Sequence, residues 1–328
     1  MRSSSTPPRS RRTLAWNAPS RPTPRIAIFT PRDSKLRVSL TQMKLAGAPI
    51  SWGVCEVPDW GLQLAPDRVL RDMRALDLRA TEAGPPGFLP ADPGASRALL
   101  DQCGLRLIGG FVTAVLHEPA RRADELASVK RQVEWLAAGG AELVVLATAL
   151  AQTGYSDAAE LPGDAWPRLF EGIDRVSEIA AANGLGVAVH PHWGTAIERR
   201  RHIERFLKDT THALCLDTGH IALGGADPLK VARDAGARVR HVHLKDVDGA
   251  LAARVRDGVT SYDDAVRAGL FRPLGEGAAR IKDVLGHLRA AGYAGWYVLE
   301  QDVMLDDEPE PGPPEWIARS AAYARAHA

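Results

Sequence analysis

A chain of 328 residues, 45% hydrophobic and 25% charged, can hold one large α/β domain or two ordinary ones, and no apolar run in it is long enough to span a bilayer. Three widely spaced cysteines, Cys55, Cys103 and Cys215, form no CxxC pair, which argues against a zinc ribbon or a disulfide framework and points to a reducing, cytoplasmic setting. The net charge of +1 hides a division: residues 1–42 hold nine Arg and Lys against Asp33, so the remaining 286 residues sum to −7, the wrong sign for gripping a nucleic-acid backbone.

The leader MRSSSTPPRSRRTLAWNAPSRPTPR is rich in Arg, Ser and Pro and lacks a secretory apolar core. Such a composition does not bury enough apolar surface to fold alone. Residues 1–42 are therefore expected to be a disordered basic segment, with a transit peptide or nucleic-acid tail as the functional alternative. Met43 is an alternative start, and 43–328 the single folded domain.

From there, strand-length apolar runs alternate with helical patterns. In chain order the expected strands are LAGAPISW (45–52), LRATEAG (78–84), LRLIGGFV (105–112), ELVVLAT (142–148), LGVAVHPH (185–192), HALCLDTG (212–219), VRHVHLKD (239–246) and GWYVLEQD (295–302). Between them Leu126, Val129, Val133 and Leu136 make one helical stripe, and Ile281, Val284, Leu285 and Leu288 another. Pro66 and Pro228 suit first helical turns. Gly104, Gly140, Gly184, Gly236 and Gly292 each close a helix just before a strand. Eight such units fit a (β/α)8 TIM barrel, an α/β fold with a closed parallel sheet. A doubly wound open sheet is the alternative, but no Gly-rich dinucleotide turn follows the first strand.

In a barrel the chemistry gathers where strands end. The second strand ends with Glu82, and the fifth with His190 and His192. The sixth offers Asp217 and His220, the seventh His243, Lys245 and Asp246, and the eighth Glu300 and Asp302. Alternation places small or apolar residues below the inward-facing ends: Ala188 under His190, Cys215 under Asp217, Val298 under Glu300. His241, one layer under His243, reads as a hydrogen-bonded core histidine. Burying His190, Asp217, His243 and Glu300 around one axis is costly unless they are paired or bind metal. A divalent cation is the economical resolution, and ion pairs or loop caps are the alternative. Mixed imidazole and carboxylate donors suit Mn²⁺ or Co²⁺ foremost, with Zn²⁺ and Fe²⁺ behind them.

The succession LDTGH, HVHLKD and LEQD resembles the xylose-isomerase-like barrel superfamily. APISWG, HPHWGT, LDTGHIALGG, SYDDAVRAGLFRPLGEG and GWYVLEQD more narrowly resemble inosose (2-keto-myo-inositol) dehydratases, over about Lys44 to Met304. The resemblance implies a rim-bound divalent metal on His190, Asp217, His243 and Glu300. Sugar epimerases of the superfamily carry glutamate where this chain has His190, which leaves the ligand set with two negative charges rather than three and favours a stronger Lewis acid. It also removes one of the two carboxylates that flank the substrate carbon in those epimerases.

The expected activity is thus dehydration of a cyclic polyol ketone, with a metal-dependent isomerase or epimerase as the alternative. Lys245 is expected as enolate stabiliser or base, with an ion pair to Asp246, Asp217 or Glu300 as its structural alternative. A lowered lysine pKa is expected there. Glu300 is expected in catalysis as well as ligation, and His220 and His192 as proton donors to the departing hydroxyl. Glu82, as a contact to a ring hydroxyl, His117, Trp52 and Trp193 are expected to line the substrate wall, with filling of gaps under loops as the equal alternative for the two tryptophans. The expected partner is a small polyol or ketose, not nucleic acid or membrane, and a homo-oligomer is compatible with the sequence. A barrel that binds sugar without turnover and an endonuclease IV-like nuclease are the remaining rivals.

Overall fold

Helix starts and stops are written locally. Pro66, Pro93, Pro119 and Pro228 open helices; Asp92 and Asp227 cap two of these, and Asp217, Asp248 and Ser261 cap three others, by accepting backbone N–H groups. Gly104 and Gly140 close two helices in the left-handed conformation, at φ 65° and 92°. A computed structural model describes residues 43–327 apart from 153 and 156–159. The expected basic leader, 1–42, lies outside the described residues.

The strands in chain order are β1 (Lys44–Gly47), β2 (Ala80–Glu82), β3 (Arg106–Ala114), β4 (Leu143–Thr148), β5 (Gly186–Val189), β6 (Leu214–Asp217), β7 (Val239–Leu244), β8 (Asp246–Val247), β9 (Phe271–Arg272) and β10 (Trp296–Leu299). Eight of them pair in parallel as a closed barrel, β1 completing the ring against β10. β8 and β9 form a separate antiparallel pair above the rim. The helices are α1 (Pro66–Ala75), α2 (Pro93–Cys103), α3 (Pro119–Gly139), α4 (Trp166–Ala182), α5 (Arg200–Asp209), α6 (Thr218–Leu223), α7 (Pro228–Ala235), α8 (Gly249–Arg256), α9 (Tyr262–Arg267), α10 (Ile281–Ala290) and α11 (Glu315–His327). Among the described residues no helix is long and apolar enough to cross a membrane.

Two cores result. Inside the barrel Ala46, Ala80, Ile108 and Val298 pack together, and Val145, Ala188 and Cys215 form a second small cluster. Outside it, the α3 residues Val129, Val133 and Leu136 and the α10 residues Ile281, Val284, Leu285 and Leu288 join one continuous layer. At about 1.5–3 kcal/mol per large buried side chain, this outer layer holds the fold together. The interior mixes alanines and Cys215 with Val145, Ile108 and Val298 below the ionisable groups of the rim.

Several strands are shorter than the apolar runs suggest, for local reasons. The first stops at Gly47 because Pro49, which has no N–H for the ladder, opens a 3₁₀ turn. The fifth stops at Val189, one residue before His190, because Pro191 likewise cannot continue it. The two histidines of HPH thus sit just past the sheet, on the rim.

Candidate active site

β5, β6, β7 and β10 deliver His190, Asp217, His243 and Glu300 to one point. Ligand-capable atoms of the four lie within 4.8 Å of one another. Asp217 is divided between two tasks: Oδ1 accepts the His220 N–H at 2.7 Å and caps α6, while Oδ2 lies 3.2 Å from His190 Nε2 and 3.5 Å from His243 Nδ1. His243 Nδ1 is also 2.8 Å from Glu300 Oε2. His190 Nδ1 and His243 Nδ1 are buried without a hydrogen-bond partner, which is costly for polar atoms in a dry interior. Two imidazoles and two carboxylates with such orphaned atoms fit a divalent cation in both charge and donor type.

Lys245 stands beside this cluster, fully buried. Its ammonium lies 2.8 Å from Asp302 Oδ1, 3.0 Å from Glu300 Oε2 and 3.5 Å from Asp217 Oδ2. It also donates to His220 Nε2 at 3.0 Å and sits over the Phe271 ring. Burial alone would depress this lysine, but Asp217, Asp302 and Glu300 outweigh it and hold the group well above the ordinary lysine range. The expected lowered pKa is therefore reversed, and Asp246 is not the counter-ion. That carboxylate accepts the backbone N–H groups of Val247, Gly275, Gly277 and Ala279, shaping the PLGEG loop. Gly219 of LDTGH makes room for the lysine stem: a Cβ there would fall 2.5 Å from Lys245 Cγ.

Above these groups opens a cavity of about 500 Å³, within the range that small-molecule sites occupy. Its floor includes His190, His192, Lys245, Glu300 and Asp302, and its walls include Ile50, Pro86, Phe111, Tyr155 and Tyr262. His192 Nδ1 lies 2.7 Å from the Trp193 carbonyl. A carbonyl only accepts, so Nδ1 carries the proton and the neutral ring has its lone pair on Nε2. Burial, with His190 and Lys245 nearby, holds His192 well below the ordinary histidine range, and hence neutral.

Other expected residues are placed differently. His220 is buried behind Lys245 and does not line the cavity, so it touches the lysine and not a bound substrate. Trp52 is fully buried in the turn after β1 and donates to Asp72 on α1 at 3.3 Å. Trp193 is buried under the Arg199 guanidinium, 5.0 Å from its ring, and His117 faces Glu118. None of the three lines the cavity: the tryptophans fill gaps under loops, where their bulk is worth most. Glu82 does line it, but its Oε1 is bound by His241 and His243, at 2.7 and 2.9 Å. His241 is the hydrogen-bonded core histidine the alternation implies.

Three residues of the site escaped the sequence reading. Asp302 was noted only as a strand end, although it repeats the face of Glu300 two residues on. Tyr262, which donates to Asp302 Oδ2 at 2.7 Å, lies inside the SYDDAVR motif. Tyr155, which donates to Glu56 at 2.8 Å and whose ring lies tilted with its centre 4.4 Å from that of His192, lies in a stretch with no periodic signal at all.

Compared with known proteins, residues 70–327 match the family described as xylose isomerase-like TIM barrel. The chain is 30% identical to an inosose dehydratase of Geobacillus thermodenitrificans, over 87% of this chain and 97% of that one. It is 32% identical to the rhizopine catabolism protein MocC of Rhizobium meliloti, over 81% and 83%. Among solved structures, a 3-keto-D-glucoside 4-epimerase from E. coli shares the fold with a TM-score of 0.60 at 15% identity, over 87% of this chain and 99% of that one.

Proposed function

Because the chain belongs to the xylose isomerase-like TIM-barrel family and groups there with the inosose dehydratases, we propose that it is a divalent-metal-dependent hydro-lyase acting on a cyclic polyol ketone such as 2-keto-myo-inositol. The observation that carries this reading is the meeting of His190, Asp217, His243 and Glu300 at one point, of which His190 and Glu300 face a cavity together with Lys245. A divalent ion on these four residues would supply Lewis acidity to the ketone and an adjacent hydroxyl.

The remaining chemistry belongs to the side chains. Lys245, kept cationic by its carboxylate neighbours, stabilises negative charge that develops on the ketone oxygen. A lysine in that role, as an ammonium, cannot also be the base. His192 offers the unprotonated Nε2 and takes the proton from the carbon next to the ketone. The electron pair of that C–H bond forms the new C=C bond, and the C–O bond to the β-hydroxyl breaks. The proton on His192 goes to the departing hydroxyl, so one water is lost and no oxidant or reductant is consumed. Glu300 Oε2, turned to His243 and Lys245, serves the ligand set rather than proton transfer. Phe111 and Pro86 exclude water from one wall.

The test is incubation of the metal-reconstituted protein with 2-keto-myo-inositol while the ultraviolet spectrum is followed. A conjugated dione should absorb as it forms. An isomeric ketose without that absorbance would convert the reading to an isomerase or epimerase. A protein that takes up no metal and turns nothing over would reduce it to a binding module.

A further inference from the structure

Resting on that reading and extending it, we propose that Glu82 is a positioning residue that fixes the tautomer and aim of His243, with His241 as its second anchor. Glu82 ends β2, and its carboxylate reaches across the barrel to a strand that is not its neighbour in the sheet. Its Oε1 lies 2.7 Å from His241 Nε2 and 2.9 Å from His243 Nε2, with all three residues buried. An ionised carboxylate only accepts, so both Nε2 atoms carry hydrogen. With Nε2 committed to Glu82, Nδ1 is the His243 atom left facing the other donors, 2.8 Å from Glu300 Oε2 and 3.5 Å from Asp217 Oδ2 and without a hydrogen bond of its own. Facing two carboxylates, Nδ1 is a position that a proton or a divalent cation can fill, and without a cation those carboxylates, against burial, hold His243 above the ordinary histidine range. Glu82 thus turns the histidine so that its lone pair faces the other donors, and its negative charge strengthens that lone pair as a donor.

Two other roles for Glu82 fit less well. As a contact to a substrate hydroxyl it would leave the two N–H groups with no stated purpose. As the centre of a second cation site with His241 and His243, whose ligand atoms are also close, it would need an ion about 2.0–2.2 Å from each donor. The N···O contacts of 2.7 and 2.9 Å are hydrogen bonds that already satisfy both Nε2 atoms, whereas the His243 atom left without a partner is Nδ1, on the other side of the ring.

The experiment measures Co²⁺ affinity of the full-length protein by competition with a chelator, beside turnover. E82Q should weaken Co²⁺ binding roughly 10–100-fold, the cost typical of losing an outer partner of a ligating histidine, and should shift the visible spectrum of bound cobalt. KM at saturating metal should stay near its original value, and H241Q should show a smaller loss of affinity than E82Q. Unchanged Co²⁺ affinity with a raised KM would make Glu82 a substrate contact and overturn the inference. Should E82Q not fold, histidine ¹⁵N resonances of the Zn²⁺-loaded original protein decide: a protonated Nε2 on His243 upholds the inference, and a metal-bound Nε2 overturns it. An original protein that binds neither ion would instead bring down the proposed function, so the two failures are distinguishable.

Discussion

The two sides of the barrel mouth are built from different chemistry. β5, β6, β7 and β10 end in a packed cluster of His190, His192, Asp217, His243, Lys245, Glu300 and Asp302, whereas the cavity lining beyond β1–β4 mixes apolar Pro49, Ile50, Pro85, Pro86 and Phe111 with separate polar groups such as Glu125, Arg131 and Gln132. Glu82 alone crosses the divide, and it does so to hold His243. The contrast assigns the reacting atoms of a substrate to one side and its orientation and dehydration to the other. It also explains why the charged side tolerates burial: each group there is offset by another, so it stands or falls as a unit.

Breaking that unit should have the largest effect. Asp217→Asn keeps the shape but halves the negative charge of the ligand set. It should cost more metal affinity than any change in an outer partner, with kcat/KM down roughly 10³-fold or more if metal supplies several kcal/mol. Elemental analysis and turnover measured on one preparation check this together. Retained activity without metal would dissolve the contrast.

Next in size is Lys245→Met, which removes the buried cation at similar length. Metal content should hold while kcat falls roughly 10²–10³-fold, the usual cost of deleting one group aimed at developing charge. Unchanged turnover would leave Lys245 a mere counter-ion and shift the reaction wholly onto the metal and His192.

How legible this was depended on the kind of interaction. The barrel and the four converging residues could be read because alternation within a strand and the order of strands are both sequence-periodic. Asp217 inward implies Cys215 inward, and the interior cluster of Val145, Ala188 and Cys215 bears that out. The state of Lys245 could not be read, because it depends on three carboxylates from two other strands meeting one ammonium. Trp52 and Trp193 stayed undecided for a related reason. A large aromatic near a rim fits a substrate wall or a gap under a loop equally well, and only tertiary packing against Asp72 or Arg199 decides. Tyr155 carried no signal, since its loop has no period.

A smaller effect tests the packing beneath the charged side. Gly219→Ala would set a methyl against the Lys245 stem at 2.5 Å, and overpacking of this kind costs about 1–3 kcal/mol. Urea unfolding should show that loss, with a reduced kcat as Lys245 is displaced. If stability and kcat are both unchanged, the lysine is not held by close contact with α6.

The smallest effect comes from a buried histidine away from the charged side. His202 on α5 packs against the Trp166 ring and accepts from the Arg199 N–H at 3.3 Å, while its Nε2 has no hydrogen bond. Burial, seconded by Arg201, pushes it down to about 4, because no network of buried carboxylates compensates it as one does Lys245. At pH 7 this histidine is neutral both folded and unfolded. As pH falls through about 6.5 the unfolded chain takes up the proton first, and the folded protein resists until about 4. Stability attributable to this residue is therefore lost across that window as pH falls, by about 2–3 kcal/mol. In His202→Gln the difference in unfolding free energy between pH 7 and pH 4.5 should shrink by about 2 kcal/mol. A variant with the original pH dependence would show that the outer layer, like the active site, neutralises its buried bases with partners of its own.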